Sequence, residues 1–330
     1  MTKLVSVFMD VEDPINPLAD DAALDLARVF SHAGVRGSFC ITGEKCRTLL
    51  PRGRRDVIDA YAPHCLGLHT DTHSFHPTTM ELLAEPDFEE GCKLAFETQK
   101  RGFEAFFAAF ERTPAFWGGA GNTWSAEITD ALKRLGIPAY SYALTRLPGD
   151  PVHRFNGVMA FPQNLSVSEP EWRDDVEARL ASNRVLTKIE ESDLQWTGVF
   201  VGHPTKLRHK DYWDTPYFGG KSPTEPEYVE PVPVEEFEIG KQNLSEFLKR
   251  LSGEAAVLGL DEAVQRPWRY RAPTADELAC FEKETASAIR GAARWPVHRP
   301  GLDPENMVSK ALALKGTVEV AELWKSQTAP

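Results

Sequence analysis

Residues 65–77 read CLGLHTDTHSFHP. The stretch opens as a short apolar strand and then presents His69, His73 and His76 within eight residues. His69 and His73 stand four apart, so two imidazoles meet near a strand end. On a helix this spacing would suggest HExxH, but position 70 is Thr where that motif carries its Glu. Thr70 and Thr72 are β-branched and Pro77 follows, so the run does not read as helical. It reads as half of a metal site whose other half must come from elsewhere in the chain.

Residues 4–9 (LVSVFM) form a continuous apolar run, the pattern of a strand buried on both faces. It ends in Asp10-Val11-Glu12-Asp13-Pro14, three carboxylates in four residues. Such a cluster is a solvated acidic turn or a ligand set. An amphipathic helix over 20–33 and a strand over 37–42 complete a βαβ unit, which implies parallel pairing. The alternation continues with a helix at 50–61, a strand at 65–69, a long helix at 86–112, a strand at 115–122 and a helix at 125–135. Strands follow at 139–144 and 158–161, then a helix at 171–191. A strand at 197–201 runs into Gly202-His203-Pro204, and a helix at 235–251 precedes a short strand at 256–260. Short strands alternating with helices predict an α/β chain folded as a (β/α) barrel, whose strand ends converge on one face. A doubly wound sheet is disfavoured because no GxGxxG or GxxxxGK[ST] follows a strand. Convergence would bring Asp10, Glu12, Asp13, His69, His73 and His203 together. Two imidazoles, one carboxylate and open positions form the ligand set of a catalytic divalent metal.

Two segments fall outside the alternation. Residues 212–234 are rich in Pro, Gly and aromatics without helical period, and read as a long loop, either a lid or a passive insertion. Residues 266–330 read as a helical C-terminal extension on a barrel of 1–265.

Composition narrows the function classes. A formal net charge of -12 disfavours nucleic acid or an anionic membrane as a partner. Five cysteines, odd in number and without CxxC, indicate reduced thiols, not a disulfide framework. The first residues, MTKLVSVFMD, enter a strand without a signal-peptide pattern, and no apolar run reaches the ~20 residues that span a bilayer. The expected location is cytoplasmic, with a small molecule or saccharide as the partner and a homo-oligomer as an option.

Asp10-Val11-Glu12-Asp13, His69-Thr70-Asp71-Thr72-His73, Phe116-Trp117-Gly118-Gly119-Ala120-Gly121 and His203-Pro204 occur in the order, and at about the spacing, of the polysaccharide deacetylase superfamily. This is the NodB homology or carbohydrate esterase family 4. The sequence resembles a divergent member over residues 3–265. The resemblance implies a distorted (β/α)7-type barrel and a metal-dependent hydrolase that removes an acyl group, acetyl foremost, from an N-acylated sugar or related small amide. It implies Asp10 as the base acting on water at the metal, and His203 as the acid that protonates the leaving amine. His69, His73 and Glu12 would hold the ion, most simply zinc, with Asp13 as the alternative to Glu12. Ala120 falls where the family offers a backbone N–H to the oxyanion. The chain departs from the family at Trp117, where an Arg positions the base, and at Gly119, where Pro is usual. Arg146 or Arg154 would then have to reach in from another loop, and Trp117 would stack on a sugar or fill space. Asp71 is a candidate hydrogen-bond partner of a ligand imidazole, and His64 and His76 read as bystanders near the site. A metal-independent hydrolase of the allantoinase type and a non-catalytic saccharide-binding barrel are the competing readings.

Overall fold

The computed structural model describes residues 3–120, 123–141, 144–221 and 225–323. Within them twelve strands make one sheet. They are β1 (Leu4–Val11), β2 (Ser38–Ile41), β3 (Cys65–Leu68), β4 (Trp117–Gly118), β5 (Ala139–Ser141), β6 (His153–Phe155), β7 (Val158–Phe161), β8 (Gln163–Ser166), β9 (Trp196–Phe200), β10 (Ala256–Val257), β11 (Trp268–Arg271) and β12 (Glu319–Leu323). Residues 121–122 of the third motif, 142–143 of the predicted strand at 139–144, and 222–224 of the long loop lie outside the described residues.

The strands run parallel in the order β7-β5-β4-β3-β2-β1-β9-β8. Only Pro162 separates β7 from β8 in the chain, so the run returns to the stretch where it began and closes a seven-position barrel. Pro162 has no N–H to give and sits where the ladder changes partner, from β5 to β9. Gly198 on β9 permits the closure, since a Cβ there would lie 2.5 Å from the Pro162 carbonyl oxygen. This is the (β/α)7-type barrel that the alternating pattern predicts.

The continuous apolar runs sort by the two-residue period of a strand. Phe8, Cys40, Cys65, Phe116, Ala139, Phe161 and Trp196 form the packed interior. Their neighbours Val7, Met9, Phe39, Leu66, Trp117, Tyr140 and Val199 pack outward under the helices. The same parity carries the inner row upward. Asp10 follows Phe8, and His69 follows Cys65 and Gly67. Polar residues thus arrive at the barrel mouth because the period puts them there.

Several elements differ from the sequence expectation. The helix predicted at 50–61 is shorter, Arg55–Tyr61, and a separate helix that the sequence reading lacks, Gly43–Leu49, precedes it; Pro51 and Gly53 (φ +68) break the run between them. β6 and β7 form a hairpin across Asn156 and Gly157, both at positive φ, the signature of a tight two-residue turn. The extension carries its helices, Ala275–Ala292 and Glu305–Ala313, and adds β11 and β12, which continue the sheet antiparallel beyond β6. No helix among the described residues is long and apolar enough to cross a membrane.

His64 is a core residue at the foot of β3, away from the barrel mouth. Its ring sits edge-on to Phe30 and Phe39, and Nε2 donates to the Ala27 carbonyl at 3.0 Å. Burial pushes its pKa down from 6.5 to about 4. Between those values the unfolded chain binds the proton and the folded chain does not, so acidification favours unfolding. Stability is expected to fall from pH 6.5 to 4, by up to ~1.4 kcal/mol per pH unit for this one group. Thermal melts across that window should show a shallower decline in His64→Gln than in wild type. Equal slopes would remove His64 as a cause.

Candidate metal centre and catalytic site

Two non-glycine residues in the left-handed region, Thr70 (φ 58) and His73 (φ 52), bend the chain sharply after β3. Each such residue costs on the order of 1–2 kcal/mol, so surrounding bonds must hold the bend. The Gly43 and Glu44 N–H groups do so by donating to the Thr70 and Asp71 carbonyls at 3.1 and 2.8 Å. The bend brings the His69 and His73 rings to 5.4 Å between centroids. Glu12, just past the end of β1, completes the cluster. Its Oε2 lies 2.8 Å from His73 Nε2 and 3.5 Å from His69 Nε2.

Hydrogen-bond direction fixes what faces what. His69 Nδ1 lies 3.2 Å from the Gly118 carbonyl, which can only accept, so this nitrogen carries the proton. Asp214 accepts from the Ser74 hydroxyl, so that oxygen must in turn accept from His73 Nδ1 at 2.5 Å. Both Nε2 atoms therefore present lone pairs toward the same carboxylate oxygen. That oxygen is buried without a hydrogen-bond partner, while the Glu12 Oε1 accepts from Trp213 Nε1 at 3.1 Å. Three converging lone pairs are stable only around a cation or a proton. With a proton alone, burial of His73 works against charge, but Glu12 and then Asp214 outweigh it and raise its pKa to about 10. Burial would raise the Glu12 pKa, yet the imidazoles of His73 and His203 hold it well below the usual range. The donor set fits a divalent cation on Glu12, His69 and His73.

Asp10, Cys40 and His69 form a second close group. Metal binding needs a thiolate, and burial, with the Asp10 charge adding to it, pushes the Cys40 thiol far up. This second group is a poor metal site.

Asp10 and His203 face the same point. Asp10 Oδ2 lies 3.6 Å from His69 Nε2 and 4.0 Å from His203 Nε2. Burial raises the Asp10 pKa against the lowering effect of the imidazoles. His203 follows Gly202 (φ +106), and its Nδ1 bonds Glu169 Oε1 at 2.6 Å. Burial opposes charge on His203, but Glu12 and Glu169 prevail and raise its pKa to about 9. Nε2 lines the cleft, and the raised pKa favours its proton-bearing form.

The other candidates take different places. Asp13 is not in the cluster. Its Oδ1 accepts the Ile15 and Asn16 N–H groups, and its Oδ2 accepts from Asn16 Nδ2 and the Thr205 hydroxyl. It shapes the turn after β1, and the reading of Asp13 as a ligand is corrected. Trp117 is fully buried on the outer face of β4, where its Nε1 donates to Gln99 at 2.8 Å. It fills the core and offers no surface to a substrate. Ala120 is buried, its carbonyl accepting from the Thr123 N–H, and Gly119 beside it lines the cleft. Asp71 pairs with Arg47 and Arg101 and supports the bend, not an imidazole. His76 bonds Glu81 and the Tyr217 carbonyl, tying the histidine loop to the short 3-10 turn Thr215–Gly220. Arg146 lines a neighbouring cavity of about 350 Å³, and Arg154 pairs with Glu319 over the Tyr270 ring. Neither supplies a base-positioning arginine.

Sequence reasoning missed Glu169, Ser74, Trp213 and Asp214. The last two open the aromatic loop at 212–234, and its Tyr-Trp-Asp start was a visible but unspecific signal. The cleft, about 330 Å³, is completed by Phe200, Tyr212, Phe218 and the extension residues Trp295, Pro296 and Val297.

No protein-family model and no curated protein matches the sequence. Solved structures do. A putative polysaccharide deacetylase from Mycobacterium smegmatis aligns with a TM-score of 0.51 at 15% identity, over 80% of this chain and 89% of that one. A family 4 carbohydrate esterase from Streptomyces lividans in complex with acetate aligns at 0.40 and 12%, over 78% and 91%. A CE4 family pseudoenzyme from Bacillus anthracis aligns at 0.43 and 11%, over 80% and 66%. The first of these matches establishes that the chain has the fold of that deacetylase.

Proposed function

We propose that this protein is a hydrolase that removes an acyl group, acetyl foremost, from an N-acylated sugar or a related small amide. A divalent cation, most simply zinc, would be held by Glu12, His69 and His73. The observation that carries the reading is the orphaned Glu12 Oε2, buried against two imidazole lone pairs, with Asp10 and His203 aimed at the same point. A passive sugar-binding barrel has no need of that arrangement. Bound there, the ion supplies Lewis acidity, polarising an amide carbonyl and making water a better nucleophile near neutral pH.

The chain's own residues divide the proton work. Asp10 takes the proton of the water that adds to the carbonyl carbon. His203 Nε2–H gives its proton to the amide nitrogen as the C–N bond breaks, leaving a free amine and a carboxylic acid, which loses its proton to solvent. Each transfer typically contributes about 10²–10⁴-fold. Glu169 holds the His203 ring in place through Nδ1 and favours its charged form. The fold shared with the putative polysaccharide deacetylase from Mycobacterium smegmatis lends analogy, and the lone-pair geometry lends the chemistry.

The test is acetate release from N-acetylhexosamine derivatives, with and without added zinc after chelation. Release that needs the metal is the expected result. Release that survives chelation would move the reading to a metal-independent amide hydrolase, and bound sugar without any release would move it to a binding protein.

A further inference from the structure

We infer that the C-terminal extension is part of the active site and sets the size of its substrate. Trp295, Pro296 and Val297 wall the cleft, so that it takes a single-ring N-acyl compound end-on and not a running polysaccharide chain. The inference rests on the N-acyl hydrolase reading and adds to it a limit on substrate size.

The wall is fastened, not draped. Between helices Ala275–Ala292 and Glu305–Ala313 the chain crosses to the histidine loop. There His298 bonds the Thr78 hydroxyl at 3.0 Å, and the Arg299 N–H donates to Glu81 Oε1 at 2.6 Å. The same Glu81 carboxylate holds His76, and the Pro296 carbonyl accepts from the Gly219 N–H at 2.8 Å. The histidine loop, the 3-10 turn and the wall are therefore one bonded unit. A second fastening lies just beyond, where Asn306 and Lys310 donate to carbonyls of residues 83–86.

This unit stands over the metal cluster. Val297 is buried, whereas Trp295 remains 48% exposed at the edge of the cleft. A large aromatic left half in water beside a polar site offers a flat apolar face on which a ring can stack. The cleft, about 330 Å³, sits at the low end of the ~300–1,000 Å³ typical of small-molecule sites. A polymer needs a groove that continues on both sides of the reacting bond. Here Trp295, Pro296 and Val297 stand on one side of the cleft, in the path such a groove would take.

The experiment is calorimetric titration of the metal-free protein, in which turnover is not supported, with N-acetylglucosamine and its β-1,4-linked oligomers of up to six rings. The single ring is expected to bind, and the six-ring oligomer to bind within about threefold of it. Trp295→Ala is expected to weaken the single ring at least tenfold. Affinity that climbs tenfold or more with ring number, an unchanged Trp295→Ala, or no binding at all would overturn the inference. If the variant does not fold, the ring-number series on wild type decides alone. A protein that binds the single ring but, when loaded with zinc, releases no acetate would sink the hydrolase reading and leave the size limit standing.

Discussion

Replacing Glu12 by Gln is expected to leave the fold intact and to remove both the metal and the activity. The substitution keeps the side chain's shape, and the amide oxygen can still accept from Trp213 Nε1, the bond that holds Glu12 in place. What disappears is the negative charge that meets the two imidazole lone pairs. Wild type is expected to carry about one divalent ion per chain, and the variant under about a tenth of one. Acetate release should drop by roughly 10³-fold or more, the equivalent of ~4 kcal/mol in the barrier. Stability gives an independent readout. An ion present at 100 times its dissociation constant stabilises by about 2.7 kcal/mol, which for a chain of this size raises the melting temperature by roughly 3–5 °C. Wild type should show that zinc-dependent rise and the variant should not. His69→Ala should behave alike. A Glu12→Gln protein that still holds an ion and releases acetate at the wild-type rate would dismantle the proposed centre.

Glu12 also illustrates what the sequence made legible. β1 announced itself as an apolar run, and the two-residue period that placed Phe8 inside the barrel placed Asp10 there as well. The four-residue spacing of His69 and His73 marked the matching end of β3, two strands away. What the sequence left open was which of Glu12 and Asp13 turns inward. That choice depends on Asn16 and Thr205, which take up both Asp13 oxygens, and Thr205 is contributed by a helix nearly two hundred residues away. The partners of the imidazoles were hidden for the same reason. The Gly118 carbonyl comes from a strand of only two residues, too short to show a period, and the Ser74–Asp214 pair comes from turns, whose backbone direction no periodicity encodes. Local signals were also passed over. The Asn156-Gly157 dipeptide between two apolar stretches is a strong hairpin sign, and it delimits β6 and β7. β8 is half-exposed, polar and preceded by Pro162, so it lacks the apolar run that reveals the other strands. Missing β8 meant missing the turn that follows it, and with that turn Glu169.

Glu169→Gln tests whether that residue acts through His203, and it is expected to lower kcat by roughly 10–100-fold with little change in KM. Glu169 is a positioning residue. Its Oε1 receives both the His203 backbone N–H at 2.8 Å and the ring Nδ1–H at 2.6 Å. Space around it is tight, since a Cβ on Gly202 would lie 2.6 Å from the same oxygen, and Gln has the same shape. The variant therefore keeps the ring's orientation and loses the charge. The sign of the pH effect follows. Burial lowers the His203 pKa, while Glu12 and Glu169 raise it to a net value of about 9. Removing one of the two carboxylates lowers it, so less of the acid form survives at neutral and alkaline pH. The alkaline limb of the kcat profile should shift to lower pH in Glu169→Gln, while Glu169→Asp should restore part of the charge and part of the rate. A purely structural role for Glu169 would lower activity evenly across pH and would not move that limb. An unmoved limb with reduced kcat would therefore confine Glu169 to holding the turn, and would leave the raised pKa of His203 to Glu12 and Asp10.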